Sequence, residues 1–140
     1  MLQGVTVQLN HSRVNELNFT KSTDLNDQDE NNFSLEVGVS FPENSDEKDE
    51  ANKTFVVTLR SDFQIKEGFI FKVSYQSFFT TNVEISDEFK KSTFPKVNAP
   101  AIAFPFYRAF IANFLLNSGF EPILLPSVNF VELHKRSLKI

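Results

Sequence analysis

Hydrophobic and polar residues alternate with period two in three stretches of the chain. In residues 33–41, Phe33, Leu35, Val37, Val39 and Phe41 share one side, and Ser34, Glu36, Gly38 and Ser40 the other. In residues 54–65, Phe55, Val57, Leu59, Phe63 and Ile65 oppose Thr54, Thr58, Arg60, Asp62 and Gln64. In residues 69–76, Phe69, Phe71, Val73 and Tyr75 alternate with Ile70, Lys72, Ser74 and Gln76. Such alternation predicts antiparallel strands with one face buried and one wet. A further strand, first in the chain, is less regular. Val5, Val7 and Leu9 alternate, His11 to Asn15 break the register as a bulge would, and Leu17 and Phe19 resume it. Lys66-Glu67-Gly68 is short enough to close a hairpin, with Gly68 available for positive φ.

Beyond the strands the period lengthens. Ser86-Asp87-Glu88 predicts the capped start of a short helix. Asn98 to Ser118 reads as a longer one, with Pro100 and Pro105 near its start and Gly119 past its end. Ile102, Phe104, Phe106, Tyr107, Phe110, Ile111, Phe114, Leu115 and Leu116 surround this helix, leaving Arg108, Asn113 and Asn117 as a polar edge. A helix apolar on nearly every side is buried on more than one of them. A single sheet covers one side. Either a second subunit covers the other or that side is an exposed binding surface. We favour the subunit contact and assign Phe104, Phe106, Tyr107, Phe110 and Phe114 to it. Val128 to Lys139 is a weaker amphipathic helix whose terminal Lys135, Arg136 and Lys139 suit a helix C-terminus.

Composition sharpens this picture. The chain has 140 residues, the size of one domain, and carries 17 phenylalanines, no tryptophan and two tyrosines. That is more phenylalanine than one small core hides, which again points to a subunit contact or a binding surface. A formal charge of −4, with no basic stripe outside the last few residues, argues against nucleic acid as a partner. The absence of cysteine excludes disulfides and thiolate metal sites and is compatible with a reducing compartment. Met1 to Thr6 lack the pattern of a signal peptide. Pro100, Pro105, Arg108 and Asn113 interrupt the most apolar stretch and argue against membrane insertion, so the expectation is a cytoplasmic protein. Residues 20–32 and 42–53 are long, polar and acidic, which predicts either solvated loops or an acidic docking surface. His11 and His134 have no partner at ligand spacing, and no phosphate loop, nucleophile elbow or zinc spacing occurs. We therefore expect no enzyme, no cofactor and no metal.

Two C-terminal motifs resemble those of the SecB protein-export chaperones. Phe104-Pro105-Phe106-Tyr107-Arg108 is similar to the family's Phe-Pro-aromatic-Ala-Arg. Gly119-Phe120, Pro122 to Pro126 and Val128-Asn129-Phe130-Val131-Glu132-Leu133 resemble its Gly-x-x-Pro…Leu…Pro-Val-Asn-Phe-Asp-Ala-Leu. The resemblance is dense over roughly forty C-terminal residues and is one of pattern in the first hundred. With the strands and helices above, it implies an α+β fold in a single domain, residues 1–140: a four-stranded antiparallel sheet with a long helix and a short C-terminal helix packed on one face. It also implies a homotetramer built as a dimer of dimers.

Functionally the resemblance implies an ATP-independent chaperone that binds unfolded polypeptides, export precursors among them, and keeps them from aggregating. Alternatives are a dedicated chaperone of a toxin–antitoxin system, or an adaptor that kept the fold and binds one folded partner. The candidate client groove is the linker between the two helices, Phe120, Ile123, Leu124 and Leu125, flanked by Val128, Phe130 and Leu133. Ordinary core packing is the competing role for these residues. The chain departs from the family at Tyr107, which stands where a small residue is usual. Glu16 lies where the family has an acidic residue that receives the SecA motor, whereas the last strand offers Lys72, Ser74 and Gln76 to solvent.

Overall fold

The structure, a computed structural model, describes residues 4–22, 33–42 and 51–138. The acidic stretches 23–32 and 43–50 lie outside the described residues, and the expectation made for them lies there too. Four antiparallel strands, β1 (Val7–Lys21), β2 (Ser34–Ser40), β3 (Thr54–Gln64) and β4 (Phe69–Thr81), form one open sheet in the order β1-β4-β3-β2. The hairpin joining β3 to β4 turns at Lys66-Glu67-Gly68. Gly68 adopts φ 92° and its N–H donates to the Ile65 carbonyl at 3.0 Å, the positive-φ position that a three-residue hairpin needs. β1 and β2, consecutive in the chain, are the two opposite edges of the sheet.

The face that each side chain takes follows from the alternation. In β3 and β4, Phe55, Val57, Leu59, Phe63, Phe71, Val73 and Phe79 point into the core. β1 slips register against β4 twice, once at Asn10 and once at Asn15. Each slip turns the strand over, so Val7, Leu9, Ser12, Val14, Leu17 and Phe19 all pair with inner-face residues of β4. Two bulges cancel in parity, and the regular alternation at the two ends of the strand is therefore preserved. β4 continues to Thr81, past the alternating stretch that ends at Gln76. The Phe78-Phe79 pair masks the alternation there: Phe79 is buried, while Phe78 lies on the outer face under His11, stacked at 4.5 Å.

Three helices follow: α1 (Asp87–Lys91), α2 (Ala99–Asn117) and α3 (Phe130–Leu138), with one wide turn over Phe94–Asn98 leading into α2. The Ser86 side chain accepts the Phe89 N–H at 3.1 Å and caps α1 as the sequence predicts. α2 ends where Gly119 takes φ 93°. There the Phe120 N–H donates to the Leu115 carbonyl at 2.8 Å and the Gly119 N–H to the Leu116 carbonyl at 3.2 Å, which satisfies carbonyls that a helix end otherwise leaves bare. Pro105 sits inside α2 and removes the N–H that the Ala101 carbonyl would accept, at an exposed position where the loss costs least. Ala99, Ala103, Tyr107, Ile111 and Leu115 form the fully buried stripe of α2 and share one core with the inner face of the sheet. Removing a large apolar side chain from water stabilises by about 1.5–3 kcal/mol, so this stripe is the main attachment of the helical layer. The architecture is the expected α+β fold.

Candidate functional site

The described surface holds a cleft of about 680 Å³ where β2 faces α3. Its apolar lining is Leu35, Val37 and Val39 from the inner face of β2 with Phe130 and Leu133 from α3; Lys96, His134, Arg136 and Glu36 border it. Each side arises from local sequence. The period-two pattern of β2 puts its three aliphatic residues on one side, half-buried because no further strand lies beyond them among the described residues. Phe130 is buried edge-on against Phe104 at 5.6 Å, which pins the start of α3 to α2. The Asn129 side chain caps that start, accepting the Glu132 N–H at 3.2 Å. Leu133, one turn on, is half-buried at the cleft.

The expected groove residues separate into three environments. Phe130 and Leu133 line the cleft. Phe120 packs on Phe69 and Phe19 at 4.9 and 5.2 Å, and Leu125 is buried, so these two fasten the linker to the body, with Ile123 and Val128 half-buried beside the core. A Lys66–Glu121 ion pair ties the same linker to the β3–β4 hairpin. Leu124 alone projects outward, 83% exposed.

The residues assigned to the oligomer contact also divide. Phe104 and Tyr107 are buried within this chain. Phe110 stacks on Tyr75 at 5.6 Å, and Phe114 meets Phe71 and Phe19 edge-on at 5.1 and 5.5 Å, both half-buried. Phe106 is 55% exposed, and Ile102 and Leu116 join it in an apolar stripe opposite the buried one. Arg108 of the same motif holds its guanidinium 5.9 Å from the Phe104 ring. Glu16 is exposed on the outer face of β1, paired across to Ser74, whose row continues through Arg60 to Glu36.

Tyr107 is fully buried among Tyr75 and Phe104, at ring distances of 5.5 and 6.2 Å. Burial pushes its hydroxyl pKa well above the ordinary 10.0, and the nearby Ser61 hydroxyl opposes that shift. Neither oxygen makes a hydrogen bond of good geometry. Sequence reading did not single out Leu35, Val37, Val39, Lys96 or Arg136 as site residues. Their apolar and basic character was visible, but the sheet order that brings β2 under α3 was not.

The family model for the preprotein translocase subunit SecB matches residues 4–139. The protein-export protein SecB of Rhodospirillum centenum is 32% identical over 73 residues, covering 52% of this chain and 43% of that one. Its counterpart in Neorickettsia sennetsu is 28% identical over 113 residues, covering 73% and 68%. The aligned region thus spans less than half the length of the first of these relatives. Among solved structures, a SecB-like chaperone of Mycobacterium tuberculosis, in complex with a peptide from the HigA1 antitoxin, is similar with TM-score 0.56 and 9% identity, covering 87% of this chain and 90% of that one. A protein of unknown function from Streptococcus agalactiae gives TM-score 0.55 at 14% identity, covering 89% and 99%. At those identities the likeness is one of fold. The family match, by contrast, runs from the first strand through the last helix, and on it the chain belongs to the SecB family.

Proposed function

We propose that this chain is an ATP-independent chaperone that holds unfolded polypeptides, export precursors among them, and takes their apolar segments in the cleft between β2 and α3. The cleft itself carries the reading: five apolar residues border it, beside a strand whose far edge is unpaired among the described residues. An open edge offers backbone N–H and C=O groups to an extended segment whatever its sequence, while the apolar lining accepts large side chains without directional demands. Each such side chain contributes about 1.5–3 kcal/mol. That is too little to capture a client alone, and enough when several contacts act along one chain. The bound peptide of the M. tuberculosis relative supports peptide capture on this fold. A cytoplasmic setting is part of the same proposal, supported by the match to the family of a preprotein translocase subunit.

The same proposal includes a homotetramer, a dimer of dimers in which the Ile102, Phe106 and Leu116 stripe of α2 meets a second copy. Several clefts on one particle would supply the multivalency. Glu16 is the proposed point at which SecA would dock. We expect equal amounts of the chaperone to suppress light scattering from a heat-unfolding enzyme in the absence of nucleotide. Unchanged scattering at a several-fold excess would refute the holdase reading.

A further inference from the structure

We propose that the cleft between β2 and α3 discriminates by charge, favouring client segments in which carboxylates accompany the apolar residues. The proposal rests on the reading of the cleft as the client site. Lys96, on the turn before α2, and Arg136, in the last turn of α3, both border the cleft, and both are exposed. Neither has an ion pair among the described residues, whereas neighbouring Lys135 lies 4.0 Å from Glu132. Among the described residues Glu36 is the one carboxylate at the cleft. It belongs to the outer face of β2, and its cross-strand partner is Arg60, whose charge opposes it. Arg136 also offsets the negative end of the α3 dipole, but a dipole end is worth only about half a charge. Among the described residues the rim is therefore net positive.

This sign runs against the bulk charge of −4. Half of the 18 acidic residues lie in 23–32 and 43–50, and the described residues carry 12 Lys and Arg against 9 Asp and Glu. Cations beside an apolar cavity raise the local concentration of oppositely charged segments and repel like-charged ones. Such selection acts on the flanks of the bound segment, because the floor, Leu35, Val37, Val39, Phe130 and Leu133, cannot accept a charge without desolvating it.

Three labelled synthetic peptides test this, with identical apolar residues and with Asp, Asn or Lys at the remaining positions. Their affinities for the full chain are read by fluorescence anisotropy. We expect the order Asp, Asn, Lys, with about fivefold between Asp and Asn from two exposed charge contacts. The spread should collapse at about 0.5 M salt, where the screening length is a few ångströms. Lys96→Glu combined with Arg136→Glu, at two exposed positions, should reverse the order. If the Asn peptide binds and the Asp peptide binds no tighter, the charge inference fails while the cleft reading stands. If none of the three binds, the cleft reading fails and takes the inference with it.

Discussion

Tyr107 shows how one residue is accommodated. Its bulk, beside the motif arginine, is visible in the sequence, where a small residue is usual for the family. Its accommodation is not. The ring lies wholly inside, and the sheet makes room with Ser61, a small buried residue interrupting the Phe55, Val57, Leu59, Phe63 series. The bulk is matched, but the hydroxyl goes without a well-formed hydrogen bond. Leaving such a group unsatisfied costs about 1–3 kcal/mol, so Tyr107→Phe should stabilise the chain by about 1 kcal/mol, read from chemical denaturation. The pH dependence follows from the raised pKa. Folded, the phenol stays neutral above the pH at which it ionises in the unfolded chain. Its contribution is therefore intact below about pH 10 and is lost as pH rises above that value. Wild type should lose stability between about pH 10 and 11.5 more steeply than Tyr107→Phe. Parallel profiles would show that this hydroxyl is not the group held neutral.

Among the elements, α2 was legible in extent and in its all-round apolar character, because composition alone reveals both. Which residues face which neighbour was not, since that depends on how the helix is rotated on the sheet. The buried stripe runs through Ala99, Ala103, Tyr107, Ile111 and Leu115, so two of the five rings assigned to a subunit contact, Phe104 and Tyr107, serve this chain's own core. Phe106 does not. Phe106→Glu should leave circular dichroism unchanged and shift sedimentation toward a smaller species, because a charge placed in an apolar contact between copies costs several kcal/mol. Phe110→Glu, set against Tyr75, should unfold the chain instead. Retention of the wild-type sedimentation by folded Phe106→Glu would remove this stripe from the oligomer contact. β1 teaches a related lesson. One irregular stretch was evident between Leu9 and Leu17, but that it holds two bulges depends on pairing with β4, and Val14 was passed over as a core-facing residue for that reason.

For the whole molecule, the β3–β4 hairpin followed from its short turn and Gly68, whereas the order β1-β4-β3-β2 depends on non-local pairing that no local pattern records. The cleft is a product of that order: β2 becomes an edge, and α3, pinned through Phe130 to Phe104, faces its inner side. Of the residues that the sequence suggests for a groove, Phe130 and Leu133 line this cleft, whereas Phe120 and Leu125 of the linker are held by the body. The central claim is that this cleft captures non-native chains. Isothermal titration of one client polypeptide, folded and then reduced and unfolded, against wild type and Leu133→Glu tests it most directly. The account predicts that wild type binds only the unfolded form and that Leu133→Glu, unchanged by circular dichroism, binds it at least about tenfold more weakly, the effect of roughly 1.4 kcal/mol. Equal binding of the folded client by wild type, or undiminished binding of the unfolded client by Leu133→Glu, would contradict it.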